Sequence, residues 1–246
     1  MALPGIAIGP GITVGPGISI GATSAAPALS PALSLDAGNA ASYPGSGATW
    51  TDTVGSIPFT LVNSPTYSSS NGGYLQFTPG SGQYGYSTTN LGTLANWSIE
   101  AWHYYDGTNT SAGPNIFTEY QYGGGTINLG LGCGNSGNTT DLQTWWYGSG
   151  FHTTAPYTLT PGAWYQIVGT FDGTTLNLYV NNTLVRTATE PPGGAANPAI
   201  GYGLMTRWDP GGLWGGRLAI VNVYNLALSG AEVAQNFNYY RSRFGL

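Results

Sequence analysis

Between Trp164 and Val180, two runs rich in β-branched and aromatic residues, 164–171 and 176–180, flank the pair Asp172-Gly173. A chain with this pattern closes into a β-hairpin, because Asp and Gly accept the positive φ values that a tight two-stranded turn demands. Asn181-Asn182 marks a second such turn directly after. Similar runs at 97–104 and 218–224, set off by clusters of Gly, Asn, Ser and Pro, extend the pattern across 35–246, so the chain reads as all-β. Helical signals appear only near the C-terminus. Ser229 with Glu232 matches a capping box and Leu228 with Val233 a hydrophobic staple, predicting a short helix to about Tyr240 that turns Val233 and Phe237 toward the sheets.

The N-terminal 35 residues behave differently. Gly-Ile-Ala-Ile-Gly-Pro (5–10), Gly-Ile-Thr-Val-Gly-Pro (11–16) and Gly-Ile-Ser-Ile-Gly-Ala (17–22) repeat with a period of six. Ile6 and Ile8, Ile12 and Val14, and Ile18 and Ile20 each share one face of an extended chain. Three such units cannot bury that face alone, so the arm is expected to pack against copies of itself or another protein. Pro4, Pro10 and Pro16 break any helix, and no basic stretch precedes the apolar one, so neither membrane insertion nor a signal peptide is expected. An Ala/Ser/Pro linker (22–34) follows, giving an arm and linker over 1–34 and a β-domain over 35–246.

Composition narrows the chemistry. Only 6% of the 246 residues are charged, with five Arg, no Lys and a net charge of −5, so nucleic acid, which needs clustered cations, is not an expected partner. One Cys and two His cannot build a zinc site or an intrachain disulfide, and no cofactor is expected. Cys133, between glycines, reads as a small buried residue, and His103 as a packed or rim residue of its strand.

Asn96-Trp97-Ser98-Ile99-Glu100-Ala101-Trp102, Gly162 to Gly173, Leu176 to Asn181, and Gly216-Arg217-Leu218-Ala219-Ile220 with Val223-Tyr224-Asn225 and Ala227-Leu228-Ser229 resemble, in order and spacing, the laminin-G-like domain of the concanavalin-A-like lectin/glucanase superfamily. The resemblance implies a jelly-roll sandwich of two antiparallel sheets with a short C-terminal helix. The opening Leu35 to Asp52 and the ending Asn236 to Leu246 resemble the variant found in structural proteins of tailed bacteriophages. It also admits a calcium ion, to which the sequence assigns no ligands.

Glucanases of that superfamily carry a Glu-x-Asp-x-x-Glu pattern, and retaining glycosidases need two carboxyls about 5 Å apart. The chain lacks the motif: Glu100 has no acidic partner at 102, Asp141 stands alone, and Asp106, Asp172 and Asp209 precede Gly or Pro as turn residues do. The expected activity is therefore binding. Aromatic rings stack on sugar faces while amides bond hydroxyls, and two clusters fit, giving Trp145 and Tyr147, then Trp208, Asp209 and Trp214, as candidate glycan-binding residues. The combined expectation is a non-enzymatic bacteriophage virion protein (capsid decoration, neck or tail fibre) assembled in the bacterial cytoplasm. Its arm would anchor a homotrimer to other virion proteins, and its β-domain would meet host surface polysaccharide. A free carbohydrate-binding module and, less favoured, a glycoside hydrolase are the alternatives.

Overall fold

The computed structural model describes residues 26–27, 29–109, 113–121, 126–133, 141–147, 151–189, 201–207 and 211–246. Among them two antiparallel sheets face each other. The eight-stranded sheet runs β15 (Thr183–Thr189), β14 (Thr175–Val180), β13 (Ala163–Phe171), β7 (Trp97–Tyr105), β17 (Gly216–Tyr224), β5 (Tyr74–Phe77) and β4 (Thr66–Ser68), with β1 (Leu33–Asp36) also paired to β17. The nine-stranded sheet runs β11 (Phe151–Thr153), β10 (Asp141–Tyr147), β9 (Thr126–Gly132), β8 (Asn115–Gln121), β16 (Gly201–Leu204), β6 (Tyr84–Ser87), β3 (Pro58–Val62) and β2 (Thr49–Thr51), with β12 (Tyr157–Thr158) beside β10. The predicted hairpin is β13–β14, in register from Ile167 opposite Val180 to Phe171 opposite Leu176. Gly173, Asn181 and Asn182 take the positive φ their turns require.

Alternation sends one face of each sheet into a shared core. Trp146 of β10 stacks on Phe171 of β13 at 4.9 Å, and Phe171 meets Trp97 at 6.1 Å, so the two layers interlock through rings. Gly169 permits this approach: a Cβ there would come 2.8 Å from the Thr144 Cβ of the opposite sheet. Cys133 is in this core, and burial pushes its thiol up to about 12, so it is an inert packing group.

The linker ends earlier than the sequence suggests. β1 starts at Leu33, Leu33 is fully buried, and Leu29 packs with Val168 and Leu228, so the boundary placed after residue 34 cuts through a strand. The apolar Leu residues decide this, since each gains about 2 kcal/mol by leaving water. The repeat residues Ile6, Ile8, Ile12, Val14, Ile18 and Ile20 lie outside the described residues.

The outer face of the eight-stranded sheet is covered by α1 (Gly230–Tyr240) and the 3-10 turn Arg241–Phe244. The capping box is formed, with Glu232 N–H donating to Ser229 Oγ and Ser229 N–H donating to Glu232 Oε2. Leu228 and Val233 pack together, and Phe237 stacks on Trp102 at 5.9 Å. Between helix and sheet lies Glu100, fully buried. Its Oε1 accepts from Gln166 Nε2 (2.8 Å) and Trp102 Nε1 (3.1 Å), and its Oε2 from Asn236 Nδ2 (3.0 Å), Asn222 Nδ2 (3.3 Å) and the Tyr224 hydroxyl (3.4 Å). Burial pushes its pKa above the usual carboxylate range, against the pull of these donors. Arg243 then grips Asp36 with both Nη atoms, at 3.0 and 2.9 Å, and fixes the C-terminus to β1.

Replacing Glu100 by Gln puts an amide NH2 among five donors. The Glu100→Gln variant should unfold at lower urea concentration, with a loss of about 2–4 kcal/mol. A midpoint equal to wild type contradicts this role.

Candidate functional site

The nine-stranded sheet has no helix over its outer face among the described residues. Thr153, Trp145, Gly130, Thr118, Gly203, Tyr86, Thr60 and Thr49 stand opposite one another in one row across eight strands. Their strand neighbours Leu131, Phe117 and Leu204 belong to the core, so alternation points the row outward. Two residues along, Gln143 stands opposite Gly132, and Asn115, three residues before Thr118 across a register shift in β8, stands opposite Gly132 as well. Gly130, Gly132 and Gly203 form a buried floor on which neighbouring groups pack directly against the backbone. The Trp145 indole lies over Gly130, and a Cβ on Gly132 would come 2.8 Å from Asn115 Oδ1. At Gly203 it would come 2.9 Å from the Thr206 methyl and 3.0 Å from that of Thr118.

Above this floor, hydrogen bonds are missing. Asn115 is fully buried, and neither its Oδ1 nor its Nδ2 meets a partner. Gln143 donates Nε2 to the Thr154 carbonyl at 2.8 Å, but its Oε1 is also buried and unpartnered. A buried amide atom left so costs about 1–3 kcal/mol, which favours a water or ligand group that completes the bonds. One edge of the floor is set by strain. Met205, fully buried, sits at φ 57°, held by its N–H to the Ile116 carbonyl (2.9 Å) and its carbonyl to the Trp214 N–H (3.0 Å). Bulky residues rarely adopt this conformation, and here it turns the chain so that Thr206 pairs with Leu213 and rests against Gly203. No residue of the two rows is charged, which suits a neutral, hydroxyl-rich ligand.

The predicted binding residues fare differently. Trp145 is on the outer face but is fully buried there and not an open stacking surface; Tyr147 is half-buried at the strand end. Trp214 is a correction: it is fully buried in the core, where its Nε1 donates to His103 Nε2 at 2.9 Å. A ring engaged that way cannot stack on a sugar. Trp208 and Asp209 lie outside the described residues. Asn115 was missed because a lone Asn in a strand carries no local signal, while Gln143 was visible only as a flank of the tryptophan pair.

The described carboxylates serve structure. Asp52 accepts from the backbone N–H groups of Ser34, Val54 and Gly55, Asp106 and Asp172 bond their own turns, and Asp141 accepts from Thr158. Glu119 faces the core, where burial first and this carboxylate second push the Tyr202 phenol up. Among the described residues no group of three His, Cys, Asp or Glu converges as a metal site. A cavity of about 460 Å³ opens between Ala32, Leu91, Leu94, Asn96 and Asn225, without a charged group.

The laminin G 3 profile, described as concanavalin A-like lectin/glucanases superfamily, matches residues 71–234, about two thirds of the chain. The chain belongs to this superfamily. Solved structures of similar fold include domain 4 of AbnA, a GH43 extracellular arabinanase from Geobacillus stearothermophilus, in complex with arabinotriose. It is 15% identical with a TM-score of 0.64, over 85% of this chain and 98% of that one. The binding domain of Paraclostridial mosquitocidal protein 1 gives 12% and 0.66, over 86% of this chain and 52% of that one. The binding domain of botulinum neurotoxin DC, in complex with SialylT, gives 12% and 0.64 with the same coverage. The chain thus spans about half the length of the toxin domains, and at these identities the likeness is one of fold. No curated protein matches by sequence.

In this lectin-like sandwich His103 is locked in one tautomer. Nε2 accepts from Trp214, so the proton sits on Nδ1 and is donated to the Arg217 carbonyl at 2.9 Å. Burial lowers its pKa from 6.5 to about 4. Above pH 6.5 the imidazole is neutral in both states and its packing is fully present. As pH falls toward 4 only the unfolded chain takes up the proton, and stability drops by about 3 kcal/mol. Urea midpoints should show this decline in wild type and a flatter profile in His103→Gln; identical slopes refute it.

Proposed function

We propose that the chain is a non-enzymatic, carbohydrate-binding structural protein of a bacteriophage particle, with the glycine-floored trough as its glycan site. The unpartnered buried amide of Asn115 and the unpartnered Oε1 of Gln143 carry this reading. Sugar hydroxyls both donate and accept, so a sugar reaching Asn115 and Gln143 would complete the bonds of both side chains. The superfamily supports it, as do neighbours solved with arabinotriose and SialylT. The structural employment of the described carboxylates favours binding over hydrolysis. The virion role rests on the hexapeptide arm and on the resemblance to phage proteins.

On an array of neutral bacterial envelope glycans, wild type should be retained, and Asn115→Ala should lose about tenfold or more in affinity while its thermal midpoint stays level or rises, because an unsatisfied amide has gone. Unchanged retention, or no retention by wild type, overturns the site. Light scattering tests the arm. The full chain should be a trimer and a version starting at Ala26 a monomer; equal masses contradict arm-driven assembly and favour a free binding module.

A further inference from the structure

Beyond the helix, the outer face of the eight-stranded sheet carries a third row. Trp164, Tyr104, Arg217, Gln76 and Thr66 stand opposite one another across β13, β7, β17, β5 and β4. Tyr74, on the same face of β5, meets Trp164 edge-on at 5.8 Å, and Tyr104 does so at 5.7 Å. Phe244, at the end of the C-terminal turn, backs Trp164 at 4.7 Å. Tyr74, Tyr104, Gln76 and Arg217 are half-buried, so this aromatic shelf reaches solvent.

Arg217 lies across the shelf. Its guanidinium carbon is 4.3 Å from the Tyr104 ring centre and 5.0 Å from that of Tyr74, and its Nε donates to Gln76 Oε1 at 3.2 Å. Gln76 is itself fixed, donating Nε2 to the carbonyls of Gly216 (3.1 Å) and Phe77 (3.3 Å) and to Asp106 Oδ2 (3.4 Å). Among the described residues Arg217 makes no ion pair, and its two Nη atoms hydrogen-bond no protein group. Arg243, by contrast, is filled by Asp36 and two backbone carbonyls, and Arg186 by the carbonyls of Pro156 and Val185. The hydroxyls of Tyr74 and Tyr104 also meet no protein partner among the described residues.

A planar fork held on rings, with its outer donors unfilled, matches a carboxylate, which takes two parallel N–H bonds. The adjacent ring faces and phenol hydroxyls match the C–H face and hydroxyls of a pyranose. We infer that the Tyr74–Tyr104–Trp164–Arg217 shelf binds a saccharide bearing a carboxylate, of the uronate or sialate kind, with Arg217 fixing the acid and the rings seating the sugar. The shelf is on the opposite sheet from the glycine-floored trough, so either site stands or falls without the other.

Titration calorimetry on the full chain tests it, using oligomers of galacturonate and of glucuronate, sialyllactose, and the carboxyl-reduced form of each. Wild type should bind at least one acid form about tenfold or more tightly than its reduced form, and higher salt should weaken that binding. Arg217→Gln should abolish the preference, Arg217→Lys should keep part of it, and Asn115→Ala should leave it intact. Urea midpoints confirm that both Arg217 variants fold, and the comparison of acid with reduced sugar on wild type needs no variant. Equal binding of acid and reduced forms, no binding of any acid form, or full retention by Arg217→Gln overturns the inference.

Discussion

A charged carboxylate taken out of water is tolerated only where the protein supplies its solvation, and Glu100 is solvated by five donors from β7, β13, β17 and α1. The arrangement is demanding, because each donor must reach the same two oxygens. It fixes the helix over Trp102, Glu100 and Asn222 and orders the C-terminal turn that brings Arg243 to Asp36 and Phe244 to Trp164. The C-terminal segment thereby becomes a third layer on one sheet.

That layer leaves the two outer faces unequal. The eight-stranded sheet is covered over the rows holding Glu100 and Trp102 and open at the row holding Arg217, where aromatic rings and a guanidinium reach solvent. The nine-stranded sheet instead holds buried glycines, Thr118 and the amides of Asn115 and Gln143 on its outer side, with Trp145 lying over Gly130. One face therefore offers rings and a positive charge, the other neutral hydrogen-bonding groups packed over glycines. With so few charges in the chain, contacts at the second face are short-ranged and little affected by salt.

The frame was legible in the sequence because it rests on local rules. Asp172-Gly173, the capping box at Ser229 and the β-branched runs each act over a few residues, and each formed as read. The site was less legible because its groups converge from strands far apart in sequence. Nothing near Asn115 shows that Gly132 will lie beside it and let it pack on the backbone, or that Met205 will bend Thr206 onto Gly203. Trp214 misled for the same reason: its run resembles an exposed aromatic cluster, and only the fold reveals that His103 accepts its indole proton. Glu100, read simply as an acid without a catalytic partner, proved to be the group that ties helix to sheet.

The most direct test of the trough is a crystal structure of the protein soaked with a neutral oligosaccharide that it retains. The account predicts a sugar with hydroxyls about 3 Å from the Asn115 amide and from Gln143 Oε1. Ordered waters completing those amides beneath a closed surface, with the sugar bound elsewhere, would contradict it.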